Sequence, residues 1–142
     1  MIYVLYGQPG SGKTTLGKLL AEHLDTTFII DGDEFREMFA NRNYGKEGRE
    51  ENLRNANAVA TYLNKKSHPN VVMSLVSPYL HIRNELKMNN KGYVTEVCLV
   101  SKRDLRKEHH VEDFEIGNPH HTMNTDQEVS ETWDYFKAVL EL

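Results

Sequence analysis

Apolar residues along the chain gather into short runs separated by polar stretches. The runs are "IYVLY" at 2–6, "TTFIID" at 26–31, "NVVMSLVS" at 70–77 and "YVTEVCLV" at 93–100, with a weaker one, "HTMNTD", at 121–126. They are brief and rich in β-branched and aromatic side chains, the pattern of buried strands. Between them the spacing changes to that of helices. Leu16, Leu19, Leu20 and Leu24 recur on one face, and "REENLRNANAVATYLNKK" aligns Leu53, Ala56, Ala60 and Leu63. "YLHIRNELKM" can form a helix after Pro78, and "EVSETWDYFKAVLEL" aligns Val129, Trp133, Phe136 and Leu140. Strands alternating with helices predict a mostly parallel five-stranded sheet with helices on both faces, an α/β fold of three layers. No repeat, linker or low-complexity tract divides residues 1–142, so one domain is expected. The least regular segment, "SKRDLRKEHHVEDFEIGNPHH" at 101–121, is polar and precedes the last strand, as a lid would.

The turn after the first strand carries the chemistry. "GQPGSGKTT" matches G-x-x-x-x-G-K-[ST], the phosphate-binding loop, with strand before it and helix after it. Gly7, Gly10 and Gly12 free the backbone to wrap its N–H groups around a polyphosphate at a helix N-terminus. Lys13 is placed to reach the β- and γ-phosphates, and Thr14 to ligate Mg²⁺. Gly7, Gly10, Ser11, Gly12, Lys13, Thr14 and Thr15 are therefore the candidate nucleotide-binding residues, with ATP and Mg²⁺ as expected cofactors. The fold is then a P-loop NTPase of the nucleotide-kinase-like kind, which leaves the phosphate acceptor undecided.

Composition narrows the acceptor only slightly. Over 142 residues the formal charge is −4, with 39% hydrophobic and 27% charged residues, which suits a globular protein and gives no basic footprint for nucleic acid. Cys98 is the lone cysteine, lies in "VCLV" and reads as a small buried hydrophobe. No run reaches the length of a membrane span, and a first strand at residue 2 leaves no room for a leader, so a cytoplasmic location is expected.

Magnesium in such sites is usually steadied by an acid ending the strand beside the loop. "NVVMSLVS" has none. "TTFIIDGDEFR" supplies Asp31 and Asp33 where a strand gives way to a helix, the edge at which open parallel sheets bind ligands. Two residues apart in an extended segment, both carboxylates would point toward the loop. The competing reading is a helix cap, a role that suits Asp. Lys13, Asp33 and Asp31 are the catalytic candidates, and Thr14, Asp31 and Asp33 the metal-side set, partly through water. Arg36, Arg49, Arg54 and Arg83 follow, and their planar forks match phosphate or sulfate oxygens.

Taken in order, these residues resemble the adenylylsulfate kinase (APS kinase) family. The matching pieces are the loop at 7–14, "DGDEFR" at 31–36, "REENLR" at 49–54 and "SLVSPYLHIR" at 74–83, against a family pattern of D-G-D-x-x-R, R-x-E-N-[IL]-R and S-P-[FY]-x-x-x-R. The resemblance covers the first two-thirds of the chain. It implies transfer of the γ-phosphate of MgATP to the 3′-hydroxyl of adenosine 5′-phosphosulfate, giving PAPS for sulfate assimilation. It also implies Asp33 as the base or metal-side carboxylate, and Arg36, Arg49 and Asn52 on the phosphosulfate end. Ser77 and Arg83 would complete that side, and Tyr44 and Phe114 would stack on the substrate adenine. A homodimer is within the family's habits. The last third departs: the family's K-G-L-Y and F-T-G-I-D-x-P-Y-E segments are replaced by the shorter "KRDLRKEHHVEDFEIGNP", where Arg103 or Arg106 could neutralise phosphate charge.

Other readings use the same loop. A small P-loop kinase for a nucleotide, modified nucleoside or polynucleotide hydroxyl shares the Asp and arginines. A GTP-binding switch would read "VCLVSKRDL" as [NT]-K-x-D with Ser101 in place of Asn or Thr, yet no Asp has Gly three positions later to sense the γ-phosphate. A binding-only domain conflicts with the intact Lys13, Thr14, Asp31 and Asp33. His109, His110, His120 and His121 form two adjacent pairs, and neighbours in a helix or strand diverge, which is poor for chelation.

Overall fold

A computed structural model of the chain describes residues 1–103 and 106–142. Strand β1 (Ile2–Tyr6) leads through the glycine loop into helix α1 (Lys13–His23), followed by β2 (Ile29–Asp31), α2 (Gly32–Met38) and α3 (Lys46–Ser67). Then come β3 (Val71–Leu75), α4 (Leu80–Asn89), β4 (Val94–Val100), β5 (His121–Asn124) and α5 (Val129–Val139). The five-stranded sheet has the order β2-β3-β1-β4-β5, and every pairing is parallel. The last strand and α5 follow a mostly irregular segment that contains a 3₁₀ turn at Lys107–His109.

Side-chain alternation divides the core into two layers. Ile2, Val4 and Tyr6 of β1 join Val71, Met73 and Leu75 of β3 on one face, covered by Phe35, Leu53, Ala56, Ala60, Ile82 and Leu86 from α2, α3 and α4. Leu5, Val72, Val97, Leu99 and Met123 point the other way, under Leu16 and Leu20 of α1 and Phe136 of α5. Helix α1 lies close on β3: a Cβ at Gly17 would stand 2.3 Å from the Ser74 hydroxyl, which donates to the Lys13 carbonyl at 3.1 Å. That approach fixes the start of α1 against the sheet.

The expected strands and helices are present, with local differences. The second strand is confined to Ile29–Asp31. Helix α3 starts at Lys46, ahead of the apolar stripe, because Asn41 and Asn43 hold the preceding turn: Asn41 donates to Gly48 O at 2.7 Å and Asn43 accepts from Gly45 N at 2.9 Å. In α5, Phe136 is fully buried while Val129, in its first turn, is 51% exposed.

Two buried polar groups are unexpected in an apolar pattern. Glu96, in the middle of β4, pairs with Lys87 Nζ at 2.8 Å and lies 3.5 Å from Arg83 Nε. Asn64 donates to Asn90 at 2.9 Å, and Asn90 donates on to Thr61 at 2.9 Å, joining α3 to α4. A buried charge is retained only when paired, which explains why the acid and its two bases sit together.

Candidate active site

Strands β3 and β4 lie on opposite sides of β1, so the chain parts at the carboxyl end of β1. This is where open parallel sheets leave a crevice. A cleft of about 1110 Å³ opens there, at the upper end of ligand-site volumes of about 300–1,000 Å³.

Its floor is the glycine loop. Gly10 and Gly12 take φ of 85° and 93°, the left-handed region that favours glycine, and Gly12 caps α1. Gly7 is needed for space: a Cβ there would come 2.4 Å from Leu99 O. The loop amides thus meet the cleft at the positive end of α1. Gly10, Gly12, Lys13, Thr14 and Thr15 line the cleft, whereas Gly7 and the buried Ser11 support it from beneath.

Lys13 is buried and turns back on the loop, donating to Gln8 O at 2.8 Å and to Ser11 Oγ at 3.4 Å. Burial lowers its pKa to about 8; Asp33 opposes the shift, Arg106 adds to it and Asp31 opposes it. An ammonium held with so little solvation is a ready partner for a polyphosphate.

Asp31 and Asp33 both line the cleft, but not as two residues of one extended segment. Asp31 ends β2, and Asp33 stands in the first turn of α2. The Asp31 carboxylate does two jobs at once. Oδ1 caps α2 by accepting from Asp33 N at 3.0 Å and Glu34 N at 3.4 Å, while Oδ2 accepts from Thr14 Oγ1 at 3.1 Å. The cap and the metal-side reading are therefore compatible in one side chain. Hydroxyl and carboxylate oxygens meeting beside a phosphate loop are the hard donors that Mg²⁺ prefers, so the residues present fit that ion.

Arg36, Tyr44, Arg49, Asn52 and Ser77 line the far side of the cleft. Arg36 donates to Asn43 O at 3.0 Å and its guanidinium lies 4.5 Å from the centre of the exposed Tyr44 ring. Arg49 reaches Tyr79 Oη at 3.4 Å. Asn52 donates to Gly32 O at 3.3 Å and leaves its Oδ1 buried without a partner. Ser77 has φ of 41° and is a buried part of the cleft wall. Arg42, Arg103 and Arg106 also face this space.

Two residues from the motif comparison lie elsewhere. Arg83 is 3% exposed and does not line the cleft. It donates to Ser77 O and Glu115 O, and to Ile116 O at 3.1 Å, with its guanidinium 4.2 Å from the Tyr6 ring centre. Both terminal nitrogens are committed to backbone carbonyls while Nε faces Glu96 at 3.5 Å, so Arg83 shapes the wall and anchors residues 115–116. Phe114 is likewise absent from the lining; it stacks on Tyr6 with ring centres 6.2 Å apart and planes 12° apart. Burial raises the Tyr6 pKa, and its hydroxyl donates to Ile116 O at 2.6 Å. The expected second aromatic of an adenine clamp is thus packed against the core, away from the cleft lining.

Gln8 and Pro9 of the loop are joined to His110 and Val111. Gln8 exchanges two hydrogen bonds with Val111, at 2.8 and 2.9 Å, and a His110 ring nitrogen lies 3.1 Å from Pro9 O. Gln8 and Pro9 fill the variable positions of the loop motif, so no pattern distinguishes them. Among the described residues no group of three or more His, Cys, Asp and Glu is arranged to hold a metal ion, and His120 is tied to Glu96 N at 2.9 Å. Ser101 donates to Asp126 at 2.6 Å; Asp104, the acid of the [NT]-K-x-D comparison, lies outside the described residues. No described helix is long and apolar enough to cross a membrane.

Comparison with known proteins agrees with this geometry. The chain is 31% identical over 93 residues to the cytidine diphosphoramidate kinase of Campylobacter jejuni, covering 63% of this chain and 54% of that protein. It is 50% identical over 42 residues to the cytidylate kinase of Methanococcoides burtonii, covering 30% of this chain and 24% of that protein. The matches thus span little more than half, and about a quarter, of those relatives' lengths. Among solved structures, the Mycobacterium tuberculosis APS kinase in complex with AMPPNP and APS superposes with a TM-score of 0.81 at 20% identity, covering 99% of this chain and 97% of that one. A gluconokinase from Sinorhizobium meliloti superposes with a TM-score of 0.72 at 19% identity, covering 98% and 90%. At such identities these likenesses establish the P-loop kinase fold alone. The sequence model of the family described as adenylylsulphate kinase matches residues 1–112, and the chain belongs to that family.

Proposed function

We propose that the protein is an ATP-dependent kinase that phosphorylates a hydroxyl of a nucleotide-like acceptor with an anionic end, with APS as the first candidate and PAPS as its product. One observation carries the reading. The phosphate loop, the Asp31–Thr14 pair and the group Asp33, Arg36, Arg49 and Asn52 share a single cleft. Donor phosphates would lie on the loop amides and Lys13. Arg36 and Arg49 would hold the acceptor's anionic end, and Asn52 Oδ1 offers a buried acceptor for a ligand N–H or O–H. Asp33 would orient the hydroxyl and take its proton late, since phosphoryl transfer depends mainly on positioning and charge neutralisation. Thr14 and Asp31 would hold Mg²⁺, with Asp33 nearby; when bound, the ion neutralises phosphate charge. Lid residues Arg103 and Arg106 add positive charge, and the lid excludes water.

A second acceptor, a cytidine nucleotide, is suggested by a relative, and the placement of Phe114 takes away one expected adenine-stacking face. The relative with the longer match is a cytidine diphosphoramidate kinase, and Phe114 stacks on Tyr6 instead of facing the cleft. One aromatic face, Tyr44, would then have to serve any base. The test is ADP release, coupled to an indicator and checked by mass spectrometry of the product, with APS, CMP, cytidine diphosphoramidate and gluconate as acceptors. Acceptor-dependent ADP from APS or a cytidine nucleotide, absent in Lys13→Ala, supports the reading. Turnover with gluconate alone would move the acceptor out of the nucleotides, and equal rates in wild type and Lys13→Ala would refute the kinase assignment.

A further inference from the structure

We propose that Thr125, just beyond β5, is a positioning residue that holds Arg103 against the phosphate loop to bind the donor nucleotide; the proposal rests on reading that loop as the ATP site. Thr125 is 4% exposed. Its hydroxyl donates to Ser11 O in the loop at 2.8 Å and accepts from Arg103 Nη2 at 3.0 Å. A hydroxyl has one hydrogen, so donation to Ser11 turns a lone pair to the guanidinium and fixes its direction. The result is a continuous chain from Arg103 through Thr125 to the loop backbone.

The approach of Arg103 is fixed on its other side as well. Asp126 accepts from Ser101 Oγ at 2.6 Å and from Lys102 N at 3.1 Å, and Arg103 N donates to Ser101 Oγ at 3.1 Å. The Ser101 bond, first among its causes, holds the Asp126 carboxyl below its usual range. The ends of β4 and β5 are thereby stapled together, with Arg103 leaving the staple toward α1. Its Nη2 would lie 3.7 Å from a Cβ at Gly12, the cap of α1, and Arg103 lines the cleft. Its Nε is buried with no hydrogen-bond partner. A guanidinium held at Nη2 and lining the cleft beside a phosphate loop presents its remaining terminal donors and planar face to an anionic or stacked ligand on that loop.

A role limited to folding makes a different prediction from a role in placing Arg103. We would measure ADP binding calorimetrically with the full chain, together with Tm and the KM values for ATP and acceptor. The variants are Thr125→Val, Thr125→Ser, Arg103→Ala and the Thr125→Val/Arg103→Ala pair. Thr125→Val should weaken ADP binding about tenfold, equal to about 1.4 kcal/mol. Thr125→Ser should restore it, and the acceptor KM should stay at the wild-type value. Arg103→Ala should weaken ADP binding at least as much, and the double variant no further, because both changes remove one interaction. Thr125→Val with lowered Tm but wild-type ADP affinity would overturn the proposal, as would additive losses in the double variant. Should Thr125→Val fail to fold, wild-type ADP affinity in Arg103→Ala decides against it. Absence of ADP binding to the wild-type chain would instead overturn the ATP-site reading, and this proposal with it.

Discussion

Replacing Lys13 by Met removes the charge that the loop needs and should make the ligand-free protein more stable. Lys13 is 9% exposed, and burial brings its pKa from 10.5 to about 8. At 1.36 kcal/mol per tenfold, that shift opposes folding of the charged form by about 3 kcal/mol. Against this stands the loss of its charge-assisted bond to Gln8 O, worth about 2 kcal/mol, while the long contact to Ser11 Oγ adds little and Gln8 O keeps a bond from Ser11 N. Burial therefore wins narrowly, and Lys13→Met should gain about 1 kcal/mol at pH 7, or about 3 °C in Tm for a domain of this size. The sign with pH follows from the lowered folded-state pKa. The Lys13 penalty is absent above about pH 10.5, where the amine is neutral in both states, and grows as pH drops toward 8. The advantage of the variant should thus be full below pH 8 and vanish as pH rises through the window from 8 to 10.5. Thermal melts of both proteins across pH 7–11, with and without ADP, measure this, and ADP should raise the Tm of the wild type alone. A variant less stable than wild type at pH 7, or an advantage that does not change with pH, would refute the reasoning.

The two acids should separate. Asp33→Asn should lower kcat at least about tenfold with ADP affinity nearly unchanged, whereas Asp31→Ala should also cost about 1 kcal/mol of stability, because it removes the cap of α2; equal Tm values for the two variants would contradict the double role of Asp31. Phe114→Ala should lower Tm, by removing an aromatic packed on Tyr6, and leave acceptor KM within about twofold; a large rise in KM with unchanged Tm would return Phe114 to the cleft.

Some features of this protein were local and could be read along the chain. Strand, glycine loop and helix are contiguous, and the backbone demands of Gly10 and Gly12 arise within a few residues, so the phosphate site was legible in "GQPGSGKTT". The strand runs and helical stripes likewise reflect the two-layer burial of a parallel sheet, because each period records which face meets the core. The same logic places Asp31 at a strand end beside the loop. What a motif cannot carry is direction. Arg83 and Phe114 occupy motif or motif-like positions, but where a side chain turns depends on partners far along the chain: Glu96, Tyr6 and the backbone at 115–116 draw both away from the cleft. The links from Thr125 to Ser11 and from Gln8 to Val111 span more than a hundred residues and leave no periodicity or spacing to detect. Tertiary structure alone decided which arginines face the cleft, because a long side chain turns toward whichever carbonyls and rings packing brings within its reach, as Arg83 does toward Ser77 O, Ile116 O and Tyr6.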